Sequence, residues 1–224
     1  KKNIAVQAKK GGAELTVTFG KKLKADVPSG KWVHVAWLFD SKRQELRVDG
    51  KSADSAASGA SLDGSEGLFV GHDGSTWETA RTGGDGFAGA LDDLCVYRIE
   101  PSEFASLKTP PPADAPPLGL AVWYDFGSET AKNLAMPGLD GTDGRIAAKN
   151  ADGWDRWRKG DKAWKLIEDR KEGSSFVDTP VSPLLDIPAG TLELRFRIDG
   201  WHETGYWPDY FLYGVFDKPS TPGN

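Results

Sequence analysis

The segment "GWHETGYWPDYF", residues 200–211, sets Trp201, Tyr206, Trp207 and Tyr210 among glycine, proline and acidic residues. Flat aromatic faces stack on sugar rings, and a few polar neighbours fix the ring's orientation. A loop of this composition on a rigid scaffold is a candidate carbohydrate-binding site, with those four residues as its contacts. Aromatics of this kind also cover sheet faces or lie at subunit contacts. Trp154 and Trp157 in "GWDRWRKG" form a second, weaker candidate.

Nucleophilic and metal chemistry find little support. The three histidines, His34, His72 and His202, show no His-x-x-x-His spacing, and no Gly-x-Ser-x-Gly elbow occurs. His34 sits in the doubly apolar run "KWVHVAWLFD" and reads as a satisfied core residue. Cys95 is the only cysteine, so an intrachain disulfide is impossible. Its apolar setting, "LDDLCVYRI", marks it as a small core hydrophobe and leaves the redox compartment open.

Bulk properties narrow the partners. The 224 residues carry a net charge of −5 and no long Lys/Arg cluster. Tracking a phosphate backbone needs a basic stripe, so nucleic acid is not an expected partner. No apolar run approaches the roughly 18 residues of a membrane span. The chain begins Lys-Lys without Met or a signal-like segment, as a processed or excised piece of a longer product would.

These residues must be positioned by strands. In "AELTVTF", Ala13, Leu15, Val17 and Phe19 share one face; in "TLELRFRID", Leu192, Leu194, Phe196 and Ile198 face inward. Glu193, Arg195, Arg197 and Asp199 then face outward, the period of a half-buried antiparallel strand. "KWVHVAWLFD", apolar on both faces, predicts a strand covered on each side. "ELRVDGK" predicts a strand ending in an Asp49-Gly50 hairpin, since that pair accepts the positive φ of a type I′ turn. Further strands are expected at 4–8, 68–71, 91–99, 121–126, 164–167 and 211–216, and one helical turn at "PSEFASL" with Ser102 as its N-cap. Many short strands between glycine-rich turns define an all-β sandwich or barrel. "TPPPADAPPL", residues 109–118, is a polyproline II spacer between two unlike halves.

Residues 31–107 carry "GKWVHVAWLFD", "ELRVDGK", "GLFVGHD" and "FAGALDDLCVYRIEPSEFASL" in order. They resemble the back half of a laminin-G-like domain of the concanavalin A-like lectin/glucanase superfamily, an antiparallel jelly-roll sandwich. "GLAVWYDFGSETAKN" and the segments up to "TLELRFRIDGW" resemble the front half of the same family. The resemblance thus implies a division into 1–108 (back half), 109–118 (linker) and 119–224 (front half), with the halves in inverted order.

Joining the ends restores the family order, which makes Asn3–Ala8 the expected partner of Phe211–Phe216. An edge strand without its partner exposes a row of N–H and C=O groups. Three arrangements satisfy it: a circularly permuted domain closing in cis, completion in trans by a neighbouring copy, or a window cut from a tandem array. The last two make the chain a repeating unit of an extracellular assembly.

The resemblance also implies candidate sites. Relatives resembling laminarinases carry Glu-x-Asp-x-x-Glu on one strand, spaced for retaining hydrolysis. No glutamate here starts that pattern, so that mechanism is not expected, although a dispersed catalytic set on this fold is a different matter. Relatives often hold a structural calcium through an aspartate matching Asp92 and backbone carbonyls; Asp125 in the opening strand is a further candidate, at a place in the motif that matches no family ligand. Asp140 and Asp143 read as turn residues. The expected role is a non-catalytic extracellular or cell-surface structural or adhesion module, meeting copies of itself or glycans. A monomeric carbohydrate-binding lectin is the alternative, and a polysaccharide-degrading enzyme or its accessory domain a further one.

Overall fold

Alternating apolar and polar residues settle into two antiparallel sheets that bury their apolar faces against each other. The computed structural model describes residues 2–9, 12–63, 67–70, 89–98, 119–126, 132–135, 145–147, 157–158, 163–166, 168–169, 173–174, 176–179, 183–199 and 209–216. The segment 101–107 and the spacer 109–118 fall outside these residues. Among the described residues no helix is long and apolar enough to cross a membrane.

The first sheet orders β10 (Arg145–Ala147), β15 (Phe176–Thr179), β7 (Gly67–Val70), β17 (Asp209–Phe216), β1 (Lys2–Lys9), β2 (Gly12–Val17) and β3 (Leu23–Val27). The second orders β11 (Trp157–Arg158), β12 (Ala163–Leu166), β8 (Gly89–Tyr97), β16 (Gly190–Ile198), β4 (Trp32–Phe39), β5 (Gln44–Val48) and β6 (Lys51–Ala56). β9 (Leu120–Tyr124) also pairs with β8, and β13 (Glu168–Asp169) with β14 (Gly173–Ser174) forms a small separate ribbon. Each sheet draws strands from both sides of the 109–118 segment.

β17 lies antiparallel to β1, with Asn3 opposite Gly214, Ile4 opposite Tyr213 and Ala5 opposite Phe211. The strand pair expected from joining the ends therefore forms inside one chain. β16 is likewise central, flanked by β8 on one side and β4 on the other.

The core between the sheets is built from the inward residues the alternation marked. Leu192, Leu194, Phe196 and Ile198 of β16 meet Ile4, Leu15 and Val17 of the opposing sheet in one buried cluster. Full burial of each such side chain contributes about 1.5–3 kcal/mol. Trp37 anchors this core, stacked against Phe19 at 4.5 Å and Phe39 at 4.2 Å. Its indole N–H donates to Gln44 Oε1 at 3.1 Å, which satisfies the polar tip.

Turn chemistry holds where it was strongest. Asp49 and Gly50 take φ of 48° and 74° between β5 and β6, as a type I′ hairpin requires. Other expectations shift. β9 stops at Tyr124, so Asp125 follows the strand rather than lying in it, and Phe126 turns away at φ 48°. β3 was not among the anticipated strands, though Leu23, Ala25 and Val27 are buried and Lys24 and Asp26 exposed.

Candidate functional site

The outer face of the eight-stranded sheet gathers the chemistry. Register across β4, β16 and β8 sets its outward residues in rows: Trp32, Arg197 and Ala90; His34, Arg195 and Asp92; Ala36, Glu193 and Cys95; Leu38, Thr191 and Tyr97. Trp123 of β9 extends the third row beside Cys95, and Leu120 the fourth beside Tyr97. The first two rows are charged and partly exposed, whereas the last two are buried in a second apolar cluster on this face.

That second cluster explains why β4 reads as apolar on both sides. Ala36, Leu38, Cys95, Tyr97, Leu120 and Trp123 are covered by Leu134 and Ala135. Asn133 pins this cover in place. Its Oδ1 accepts from the Trp123 backbone N–H at 3.0 Å, and its Nδ2 donates to the Ala121 carbonyl at 3.1 Å. A buried side-chain amide thus does the work of a strand along the free edge of β9.

Glu193 sits where the charged rows meet the apolar ones, with only 3 % of its surface exposed. The Tyr97 hydroxyl donates to Glu193 Oε1 at 2.8 Å, and His34 Nε2 lies 3.0 Å from Oε2. Hydrogen bonds to both oxygens offset the cost of burying this carboxylate. Burial, with Cys95 and Glu193 beside it, pushes the Tyr97 phenol up. Burial likewise raises the Cys95 thiol well above its ordinary range, as expected of an inert core thiol. His34 is satisfied, but on the half-exposed outer face rather than in the inter-sheet core, which corrects the core reading of its apolar run.

Asp92 and Asp93 would point to opposite faces of a regular strand. They do not, because β8 bulges. Opposite Glu193 and Arg195 the ladder skips from Cys95 to Asp92, leaving an extra residue, and Asp93 adopts a left-handed φ of 47°. Arg195 Nη1 consequently lies 3.6 Å from Asp92 Oδ2 and 3.4 Å from Asp93 Oδ2. The Asp92 oxygen Oδ1 also accepts from the Asp93 backbone N–H at 3.0 Å. Burial first, then the Asp93 charge, pushes the Asp92 carboxyl up to about 7, with Arg195 opposing and Asp125 adding repulsion. Asp93 is also raised by burial, against the pull of Arg195.

The Trp123 indole N–H lies close enough to the Asp93 carboxylate to favour its charged form, yet falls short of a hydrogen bond and is buried. On the exposed side, the Trp32 ring lies 5.5 Å from the Arg195 guanidinium and 5.2 Å from that of Arg197. Arg197 is tied in turn to Asp199, Nε to Oδ1 at 2.6 Å.

The residues marked in the sequence divide accordingly. Asp92 and Asp125 come close enough to interact electrostatically, but Asp92 is directed at Arg195. Among the described residues no group of three or more His, Cys, Asp or Glu is arranged to hold a metal ion. Trp201, Tyr206 and Trp207 lie outside the described residues, as does Trp154. Tyr210 and Trp157 are described by backbone alone, Tyr210 opposite Val6 and Trp157 opposite Trp164. Trp32, Glu193 and Arg195, which the sequence left unassigned, gather with His34, Asp92 and Asp93 on this face. The outward phase of "TLELRFRID" is the only sequence signal for Glu193 and Arg195, because their partners from β4 and β8 are remote in the chain.

Two antiparallel sheets packed face to face, among the described residues without an α-helix, form a β-sandwich consistent with the concanavalin A-like class. Residues 2–103 match the laminin G family model described as the concanavalin A-like lectin/glucanases superfamily, so that stretch is laminin-G-like. A comparison with curated proteins finds no match. Domains of this kind are typically structural or binding modules and usually non-catalytic.

Proposed function

We propose that the chain is a non-catalytic, extracellular or cell-surface module of structural or adhesive type. Its halves, 1–108 and 119–224, complete one another around the 109–118 spacer as a permuted jelly roll. The seating of β17 against β1 within one chain carries this reading, because it leaves neither terminal strand in need of a second copy. Head-to-tail filaments would use the same two strands exchanged between copies, a contact that does not close.

Light scattering and negative-stain microscopy test the reading. Monodisperse particles near 24.2 kDa are expected. Long particles with a regular repeat would replace it with the filament form.

A carbohydrate-binding module is the second reading, favoured by one observation. Trp32 lies half-exposed beside Arg195 and Arg197, at the end of β16 that runs on toward the aromatic segment 200–211. A glycan array with Trp207→Ala decides it: unchanged binding of every sugar removes the aromatic segment as the site.

A further inference from the structure

We propose that the outer edge of β3 is a latent pairing surface for a second copy of this chain, and that the Asp54 carboxylate keeps it closed. Three observations carry this.

The first is the position of β3. It ends the seven-stranded sheet, and among the described residues no strand pairs with its outer side. Hydrogen-bonding direction alternates along an antiparallel strand. The Lys24 N–H turns away from β2 and donates to Asp54, so the backbone groups of Lys24 and, two residues on, Asp26 point outward. Groups of this kind along an edge are a template for another strand.

The second is the cap. Asp54 belongs to β6, the edge strand of the other sheet. Counted from the Asp49-Gly50 turn, Ala53 would face Leu46, but the ladder skips from Arg47–Ser52 to Leu46–Asp54. This bulge sets Asp54 on the side of Leu46, which is buried in the inter-sheet core. The carboxylate then bridges the two sheet edges. Its Oδ2 accepts from the Lys24 N–H at 2.9 Å, and its Oδ1 from the Ser55 N–H at 2.8 Å. A bulge and an inward-pointing charge on an edge strand are both devices that prevent edge-to-edge pairing.

The third is self-complementarity. About a two-fold axis at Ala25, an antiparallel copy of β3 sets Leu23 against Val27 and Lys24 against Asp26 of the copy. Lys24 and Asp26 carry the outward backbone groups, so each such pair exchanges two hydrogen bonds. Both side chains are exposed and of opposite charge, which favours them directly across a ladder. Within the single chain they are held by Glu14, at 2.7 Å from the Lys24 Nζ, and by Lys9, which pairs with Asp26. A two-fold contact uses the same strand on both copies and stops at a dimer, unlike head-to-tail exchange of β1 and β17.

Sedimentation equilibrium of the whole chain over a concentration series tests this. Wild type is expected to stay at 24.2 kDa, as is Asp54→Asn, whose amide oxygen still accepts from the Lys24 N–H. Asp54→Ala is expected to approach twice that mass as concentration rises. Adding Lys24→Asp should return it to the single-chain mass, because like charges then face each other across the two-fold axis. Adding Asp26→Lys to that variant should restore the dimer. Thermal scans by circular dichroism establish that each variant is folded, and Asp54→Ala with Asp26→Lys alone supplies the like-charge case if the Lys24→Asp variant is not. An Asp54→Ala variant that stays a single chain throughout overturns the proposal. So does a dimer indifferent to the charge reversals, or a wild type that dimerises as readily as Asp54→Ala.

Discussion

Asp92 is a carboxylic acid kept partly protonated near neutrality by its neighbours on the sheet. Burial and the Asp93 charge hold it at about 7, well above the ordinary carboxylate range. Because the folded value is the higher one, the folded state binds more proton between about pH 4 and 7. The Asp92 contribution to stability is therefore complete below about pH 4, declines as pH rises through 7, and changes no further above it. Asp92→Asn is expected to flatten this slope, so that the variant gains on wild type as pH rises. Chemical denaturation at a series of pH values checks it: a stability difference independent of pH would contradict the raised carboxyl. At this scale the sequence was only partly legible. The sequence singles out Asp92, but nothing in "LDDLCVYR" reveals that an arginine 103 positions further on lies across the ladder.

Among the elements, β16 is enclosed on both sides by its neighbours. It runs between β4 and β8, and no larger residue fits at its first position, Gly190. A Cβ at Gly190 would lie 2.2 Å from the Tyr97 carbonyl oxygen and 2.8 Å from Ile187 Cγ2. Backbone cannot retreat as a flexible side chain would. Gly190→Ala is thus expected to cost about 1–3 kcal/mol, read as a lowered denaturation midpoint with unchanged m-value. A Gly190→Ala variant as stable as wild type would show that the β8–β16 spacing relaxes easily. Most strands could be read from period-two patterns, and the Asp49-Gly50 hairpin from its turn residues, since both signals are local. The bulge at Asp93 could not be read, because it is a mismatch between two strands and belongs to neither sequence alone.

For the molecule as a whole, the consequential feature is that both sheets interleave strands from the two sides of the 109–118 segment. β1 depends on β17 and β16 on both β4 and β8, so neither half has a complete set of backbone partners. Unpaired edges and an uncovered apolar face leave an isolated half without enough burial to offset its chain entropy. Expressed separately, 1–108 and 119–224 are each expected to lack a cooperative melt, and mixing them should restore one. Circular dichroism during thermal scans is the measurement. Independent cooperative melting of both pieces would mean that each is a domain in its own right.

From the sequence alone came the all-β class, the inward residues of most strands, the hairpin at Asp49-Gly50 and the pairing of the terminal strands. The first three rest on alternation and turn preference, which act along the chain, and the last on the family resemblance, whose order is restored when the ends are joined. Only the tertiary structure decided which outward residues meet. Register between strands distant in sequence brought Arg195 to Asp92 and Asp93, and Glu193 to His34 and Tyr97. Charges on a sheet face are defined by their cross-strand neighbours, and those neighbours exist only once the sheet has formed.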